Sequence, residues 1–375
     1  MGGGLIQLVA YGSQDIFLTG NPQITFFKVV YRRHTNFAMQ SIAMQQEGNF
    51  DFDNKCTFNM VRHGDLVHRI YLEIVGEKKD PSGSAFPGFG LAFNLIDEVE
   101  LEIGGQIIDR HYGEWMNIWC ELTHSDSKAR QLYTMTNKTR TYIPLQFWFC
   151  RHPGLSLPLI ALQFHDVKIH VRLVSESAFG GSSANVKLTS VEMMADYIFL
   201  DTDERRRFAK SSHEYLIEQV QANLDFNVHS TCALNKYKLD FRHPVKELIW
   251  VHEDKSTTEN FKYLPSTQKA LLKLNGHDSM QTRFGSYYRY LQRYQHHTGN
   301  EVVDGAGNIR PIYVYSFAIN PEDAQPSGTC NFSKIDTALL EITSNLPQRA
   351  NLNVYATNYN VLRIMGGMGG LAFSN

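Results

Sequence analysis

One pattern in this sequence occurs twice. A strand-like run, a tight glycine turn and an aromatic-rich stretch begin at Leu101 (LEIGGQ) and again at Leu272 (LKLNGH), 171 residues later (272 − 101). Three further pairs of similar segments, separated by 166 to 180 residues, begin at Arg62 and Arg242, at Phe164 and Phe332, and at Ala184 and Ala350. One such match arises by chance, but four in the same order indicate two copies of one domain.

Hydrophobic residues recur at every second position through much of the chain. Val99, Leu101 and Ile103 alternate with glutamates, and the runs 167–173 and 220–228 alternate in the same way. Successive strand side chains point to opposite faces, so each run is apolar on one face and polar on the other. Each copy is about half of the 375 residues, which gives room for about eight strands. We therefore predict an all-β fold of two tandem eight-stranded antiparallel jelly rolls, with short helices in the loops.

Helix signals are few and are found at repeated places. The best candidates, Gly113–Leu122 and Gly285–Tyr294, both follow the duplicated glycine turn, and the charged run Asp203–Phe208 near the middle of the chain is typical of a short helical linker. The predicted organisation is an N-terminal arm of residues 1–36, a first jelly roll of residues 37–203, a linker of residues 204–212 and a second jelly roll of residues 213–375.

Composition argues against several classes of protein. The net charge of −2 gives no basic field for nucleic-acid phosphates. The five cysteines are an odd number with no CxxC pair, so neither a disulfide framework nor a zinc site is expected, and free thiols suit folding in a cytosol. No apolar run approaches the ~20 residues of a membrane span, and the N-terminus lacks the features of a secretory signal.

Enzyme patterns are also missing from the sequence. A double β-barrel oxygenase would need converging histidine and carboxylate ligands, but no His-x-His pair occurs among the fifteen histidines. His296 and His297 are expected in a glycine-flanked surface loop. No nucleophile elbow, P-loop or dinucleotide fingerprint is present. We predict no catalytic, metal or cofactor site. A carbohydrate-binding protein of two β-barrels stays open as an alternative, because jelly rolls also serve as lectins.

Three long strings of this chain resemble one family. They are LTGNPQITFFKVVYRRHTNFA from Leu18, DTDERRRF from Asp201 and NYNVLRIMGGMGGL from Asn358. All three are similar to segments of the major capsid proteins of nucleocytoplasmic large DNA viruses. The strings lie at the start, middle and end, so the resemblance covers essentially the whole chain.

The resemblance implies a structural protein and no enzyme. Its double jelly roll is expected to form homotrimeric, pseudo-hexagonal capsomers that tile an icosahedral shell around an internal membrane and a DNA genome. The implied partners are other copies of itself, minor capsid and penton proteins, and the inner membrane through the minor proteins, without sequence-specific nucleic-acid binding. Virion location, assembly in the host cytoplasm and late expression are implied as well. Short loops leave open a secondary capsid component of the same fold.

The resemblance also assigns roles to particular residues. The arm is expected at the inner base of the capsomer, where it meets minor capsid proteins or a neighbour; its candidate contact residues are Thr19, Asn21, Pro22, Gln23, Arg32 and Arg33. An edge strand of the first sandwich is the alternative for this segment. Asn137, in an N-x-T string, is a candidate glycosylation site, whereas Asn331 of a second such string is expected to be buried at the start of a strand.

The aromatic-rich segment from Phe284 to Tyr294 has two interpretations. Aromatic side chains interleaved with arginine can stack on nucleic-acid bases. However, Phe284, Tyr287, Tyr288 and Leu291 recur at helical spacing, as do the aliphatic and aromatic residues of its counterpart between Trp115 and Leu122. We therefore expect both segments to pack, either inside each sandwich or between subunits.

Overall fold

The computed structural model describes residues 6, 8–10, 12–29, 31, 33–78, 91–136, 140–176, 186–228, 234–255, 261–279, 281–299, 310–344 and 350–374. Residues Met1–Asn36 form one compact unit and Phe37–Asn375 form another. Within the first unit the chain forms the short helix α1 (Asp15–Thr19). The Asp15 carboxylate accepts a hydrogen bond from the Gly12 backbone N–H at 2.7 Å, which supports the turn into this helix.

The first half of the larger unit is a sandwich of two antiparallel sheets. Its strands are β1 (Phe37–Ala43), β2 (Gln45–Glu47), β3 (Lys55–Asn59), β4 (Leu66–Lys78), β5 (Ile96–Ile103), β6 (Gln106–Tyr112), β7 (Arg140–Pro144), β8 (Leu157–Pro158), β9 (Val167–Leu173) and β10 (Val186–Leu200). The helices between them are α2 (Leu91–Asn94), α3 (Gly113–Thr123), α4 (Asp126–Thr136) and α5 (Trp148–Arg151), with 3₁₀ turns at Pro153–Leu155 and Leu159–Ala161.

The second half repeats this architecture. It begins after helix α6 (Thr202–Lys210) and contains helix α7 (Gln292–His296), a π-helical turn at Tyr287–Leu291 and a 3₁₀ turn at Phe332–Lys334. Its strands are β11 (His213–Val228), β12 (Leu234–Leu239), β13 (Pro244–Asp254), β14 (Thr267–Leu274), β15 (His277–Asp278), β16 (Arg283–Phe284), β17 (Tyr313–Ser316), β18 (Cys330–Asn331), β19 (Ala338–Ser344), β20 (Ala350–Met365) and β21 (Met368–Leu371).

The strand orders of the two halves correspond, except that β2 of the first half has no counterpart in the second. One sheet of the first half has the order β1-β10-β4-β7, and its counterpart has the order β11-β20-β13-β17. The other sheet has the order β2-β3-β9-β5-β6, against β12-β19-β14-β15. The segments matched in the sequence lie on or directly before equivalent strands, such as β4 with β13 and β5 with β14. The predicted all-β pair of jelly rolls is therefore confirmed.

Helix α6 joins the two halves, and its sequence explains it. The Asp201 side chain accepts a hydrogen bond from the Thr202 N–H, acidic residues occupy the first turn, and Arg207 and Lys210 occupy the last. This charge order complements the helix dipole. None of its residues is buried, and the helix contains the charged run Asp203–Phe208 in which a short helix was expected.

The sandwich cores largely follow the predicted alternation of buried and exposed residues, and the prediction fails at one charged residue of β5 and in strand β11. Val99, Leu101 and Ile103 are buried as expected, but so is Glu100, because Lys55 and Arg110 cover it with ion pairs on the outer face of the sheet. In β11 the pairing with β20 shifts between Asn223 and Phe226, where Asp225 has a positive φ of 58°. Val220 and Ala222 before the irregularity face the first sandwich, and Leu224 is exposed, whereas Phe226 and Val228 after it face the second core. The single apolar face predicted across 220–228 is therefore wrong.

Strand β13 is buried on both of its faces. Leu248 and Trp250 belong to the core of the second sandwich, whereas Ile249 and Val251 join the apolar cluster that contains the first core. A strand covered on both sides reads as a nearly continuous apolar run, as ELIWV does here. The outer face of the β11-β20-β13 sheet therefore packs against the first sandwich, and we name this contact the seam.

Candidate assembly interfaces

Helix α3 is the part of the first sandwich that enters the seam. Its start at Gly113 fixes Glu114 in the first turn, where Glu114 Oε2 accepts hydrogen bonds from Tyr355 OH at 2.5 Å and Asn353 Nδ2 at 2.7 Å. Burial, followed by the nearby Glu253 charge, raises the pKa of Glu114 to about 7. The helix is thus tied to β20 of the second sandwich by a buried carboxylate.

A row of charged side chains crosses the middle of the seam. Glu218 Oε2 on β11 lies 2.5 Å from Arg151 Nη1 and 2.8 Å from Lys246 Nζ, and the Lys246 side chain has no exposed surface. Lys246 also donates to the Pro321 carbonyl at 2.5 Å. The Arg151 guanidinium lies 4.3 Å from the centre of the Trp119 ring, a cation–π arrangement. Residues of both sandwiches therefore complete a single buried network.

His297 lies at one end of the seam. Its Nε2 lies 3.1 Å from Glu247 and its Nδ1 3.1 Å from Glu322. Burial alone would lower the pKa of His297, but the hydrogen bonds and charges of Glu247 and Glu322 raise it to about 9. We expected His297 on a surface loop, and that prediction is wrong. The Gly299 N–H next to it donates to the Leu122 carbonyl at 2.7 Å, which draws the loop into the seam.

This histidine makes the stability of the chain depend on pH. A folded pKa of about 9 against an ordinary 6.5 means that the stabilisation is complete below 6.5 and is lost as the pH rises through 9. Glu114 and Glu121 both titrate near 7 and contribute little above about pH 7.5. The thiols of Cys120 and Cys150, whose pKa values burial raises, add to the slope as the pH nears 9, so the His297 contribution is the part that a His297 variant removes. Between about pH 7.5 and 9 we expect this contribution to the free energy of unfolding to fall by about 2 kcal/mol.

Urea unfolding at several pH values measures this slope. His297→Gln should flatten the slope, and His296→Gln, a change at its half-buried neighbour, should leave the slope intact. An unchanged slope in the His297 variant would contradict the assignment.

The predicted contact residues of the arm are exposed where the structure describes them. Thr19 ends helix α1, where its hydroxyl donates to the Asp15 carbonyl at 2.8 Å, and Asn21 has a positive φ of 52°. Pro22, Gln23 and Arg33 are exposed, and Arg32 lies outside the described residues. Sequence reasoning overlooked the apolar character of this unit. Its exposed large apolar residues are Ile6, Leu8, Val9, Ile16, Leu18, Ile24, Phe26, Phe27, Val29 and Tyr31.

The two N-x-S/T strings have different outcomes. Asn137 lies outside the described residues. Asn331, which we expected to be buried, is exposed at the end of the short strand β18, and its Oδ1 accepts a hydrogen bond from the Ser333 N–H at 3.0 Å.

The aromatic segments pack differently in the two copies. Trp115, Trp119 and Leu122 of α3 are all buried, as predicted. In the second copy Tyr288 is buried against Trp250, but Tyr294 is exposed. Packing within the chain, inside the first sandwich and against the second, therefore accounts for the first segment but for only part of the second.

The described residues give little support to a metal site or to a membrane-spanning helix. Within them, no three His, Cys, Asp or Glu side chains lie close enough to hold a metal ion. Among the described helices, none has the length and apolar character needed to cross a bilayer. The seam and the exposed apolar surfaces are thus the features that a function has to explain.

Comparisons with known proteins agree with one another. A family model for the N-terminus of major capsid proteins matches residues 25–201, and a model for the large eukaryotic DNA virus major capsid protein matches residues 204–370. The chain is 47% identical to a major capsid protein of Pyramimonas orientalis virus and 40% identical to one of Paramecium bursaria Chlorella virus 1, with both partners covered in full. A quasi-atomic model of the PBCV-1 virus capsid matches with a TM-score of 0.83 and 36% identity, covering 94% of this chain and 100% of that one.

Proposed function

We propose that this chain, which belongs to the major capsid protein family of large eukaryotic DNA viruses, builds the virion shell as homotrimeric capsomers with a pseudo-hexagonal outline. Its structural capsid role follows from the family, and the relatives named above are structural proteins rather than enzymes. Neither of them is named as a secondary capsid component or as a carbohydrate-binding protein. The trimer and its arrangement in an icosahedral shell around an internal membrane and DNA are the proposal.

The observation that carries this proposal is that the chain contains two similar sandwiches, which the seam fixes to each other. Two sandwiches of the same strand order are fixed to each other by buried ion pairs and by helix α3. A ring of three such chains presents six similar flanks, so each flank can meet a neighbouring capsomer in a nearly equivalent way. One gene product can then cover a large closed surface. We take residues 37–203 and 213–375 as the two jelly rolls, joined by a linker of residues 204–212.

The size and shape of the purified full chain test this proposal. Light scattering should give three times the 42.9 kDa of one chain, and negative-stain electron microscopy should show six-sided particles. A chain that stays at its single mass at high protein concentration would rule out the capsomer.

The arm of residues 1–36 is proposed to bind minor capsid and penton proteins, and through them to lie near the inner membrane. Exposed apolar side chains support this role, since Phe26 is 88% and Phe27 96% exposed, and such contiguous apolar surface marks interaction sites. Arg33 and its neighbour Arg32 add positive charge to the same segment. Sequence-specific nucleic-acid binding is not part of the proposal.

Replacing Phe26 and Phe27 by aspartate should leave the trimer intact and reduce its incorporation into shells at least roughly tenfold, if each phenylalanine contributes about 1 kcal/mol. The measurement is capsid yield when the variant is expressed with the other virion proteins. Phe373→Asp, a change at another exposed phenylalanine, is the matched control. Equal shell yields from all three proteins would disprove the role of the arm.

Assembly in the host cytoplasm is proposed from the state of the thiols. Cys56, Cys120, Cys150 and Cys330 are all free. Burial raises the pKa values of Cys120 and Cys150 to about 12, which keeps both thiols protonated and unreactive. Free cysteines of this kind suit a reducing compartment.

A further inference from the structure

The seam inside one chain is a template for a contact between two chains. Helix α3, which follows the glycine turn of the first copy, lies on the outer face of the β11-β20-β13 sheet of the second copy. Its contacts there include Glu114 with Tyr355 and, 5.6 Å apart, the Trp119 ring with Lys246 Nζ. If the copies are equivalent, the corresponding segment of the second copy should use the corresponding face of a first copy.

The second copy begins that segment in the same way as the first. A Cβ at Gly113 would overlap the carbonyl oxygens of Phe93 and Ile96, and a Cβ at Gly285 would overlap that of Thr267. Ile96 and Thr267 each open the equivalent strands β5 and β14. Both glycines therefore let the chain pass directly against its own sheet, which fixes where the next helical turns lie. We name residues 285–296 the second aromatic segment.

The two segments differ in what covers them. In α3, Ile118, Trp119 and Leu122 are buried, whereas the turns at the same place in the second copy leave Tyr290 43%, Leu291 44% and Tyr294 86% exposed. The second segment also contains a π-helical turn, which widens the helix by one residue and is frequent at functional sites. An apolar surface that is covered in one copy is thus uncovered in the other.

The equivalence of the two sheet faces can be assigned residue by residue. Val67 pairs with Tyr197 on one side and Leu157 on the other, and Val245 pairs with Asn358 and Cys330 in the same way. A bulge follows each valine. In this alignment of the two copies, Tyr71 is equivalent to Ile249, Met194 is equivalent to Tyr355 and Ser41 is equivalent to Val220.

The outer side of the β1-β10-β4 sheet is more exposed than the equivalent side of the β11-β20-β13 sheet, which α3 covers. Val220, Ile249 and Tyr355 are buried in the seam. Their counterparts Ser41, Tyr71 and Met194 are exposed or half-buried, and Met39 beside them is 51% exposed. A recess of about 440 Å³ opens next to Arg69 and Tyr71, between β4 and helices α3 and α4. We name the outer side of the β1-β10-β4 sheet the receiving face.

The polar groups of the two surfaces are complementary. At the position of Glu114 the second segment has Ser286, and at the position of Asn353 the receiving face has Glu192, so donor and acceptor have exchanged places. Glu73, Glu192 and Asp196 give this face three carboxylates, with Arg140, which pairs with Glu73, and Arg69 as the nearby cations. Lys269 and Arg283 lie beside the segment and Arg289 lies within it, so cations accompany its aromatic side chains.

We propose that the second aromatic segment of one chain binds the receiving face of another copy, repeating between chains the contact that α3 makes within a chain. This inference rests on the proposed capsomer and names its contact surfaces. The contact joins two different patches, so it is heterologous and propagates from chain to chain until the ring closes. Its centre is aromatic and its rim charged, as in a stable protein interface.

Single aspartate substitutions test the two surfaces separately. Tyr294→Asp and Met39→Asp should each raise the concentration at which half of the trimer has dissociated by roughly 30-fold or more. Leu234→Asp, which changes an exposed residue on the opposite sheet of the second sandwich, should leave that concentration unchanged. Analytical ultracentrifugation gives the mass, and circular dichroism verifies that each variant is folded. Because Tyr294 and Met39 are exposed, folding should be preserved.

A photoreactive phenylalanine analogue at position 294 identifies the contact directly. Irradiation of the trimer should join two chains, with the attachment within residues 37–43, 66–78 or 186–200 of the second chain. Folded variants that remain trimeric, or attachment elsewhere in a trimer, overturn this inference and leave the capsomer standing. A wild-type chain that never forms trimers overturns both.

Discussion

Glu218→Gln is expected to lower the free energy of unfolding by about 4 kcal/mol, the usual size for a buried ion pair broken on one side. The reason is the Lys246 ammonium, which has no exposed surface and has Glu218 as its carboxylate partner at 2.8 Å. Glutamine keeps the shape of the side chain but removes the charge. The buried cation then keeps the Pro321 carbonyl, the more distant Trp119 and Tyr359 rings and the charge of the neighbouring Glu247, but it has lost its hydrogen-bonding carboxylate partner.

A matched control lies on the same strand. Glu214 pairs with Arg363 at the surface, at 2.8 Å, so Glu214→Gln should change the stability by less than about 1 kcal/mol. The double variant Glu218→Gln with Lys246→Met should recover much of the loss, because it removes the fully buried Lys246 charge with its partner and leaves only the partly exposed Arg151 without Glu218. Urea unfolding measures all three. Equal effects of the two single variants would show that the seam network contributes no more than a surface pair.

Gly113→Ala and Gly285→Ala are each expected to destabilise the chain by about 3 kcal/mol, at the upper end for overpacking. At both positions a Cβ would overlap backbone carbonyl oxygens, and backbone cannot move aside as a flexible side chain can. The two variants should differ in their consequences. Displacing α3 loosens the seam within the chain, whereas displacing residues 285–296 affects the proposed contact between chains.

Thermal unfolding and the trimer mass separate these consequences. Gly370→Ala is the control, because the nearest group to its new Cβ is the end of the Gln106 side chain at 3.3 Å. The control should change the free energy of unfolding by less than about 1 kcal/mol. A Gly285 variant as stable as the control would show that the chain does not pass so closely against β14.

The duplication and the jelly rolls could be predicted because strands leave a strong local signal. Alternation of period two located most of the core, including Leu101 and Ile169, and the repeated glycine turn located both aromatic segments. The signal fails where a strand is bulged, as at Leu224, and where ion pairs cover a polar residue, as at Glu100.

The seam could not be predicted, for a physical reason. A charged residue at an outward strand position has the same pattern whether it faces water or another sandwich, so Glu218 and Lys246 resemble solvated residues in the sequence. His297 gives no local signal either, because its partners Glu247 and Glu322 are distant along the chain. The apolar run Leu248–Val251 is the local feature that fits a strand covered on both faces, but no covered strand was predicted from it.

The position of α3 has a consequence for synthesis on the ribosome. The helix is complete long before its cover, since the strands that pack over it begin at His213 and end with β20 at Met365. At about 5–20 residues per second, translation of that stretch takes roughly 8–30 s. During this interval the nascent first half carries a tryptophan-rich surface, which is a target for chaperones and a hazard among neighbouring polysomes.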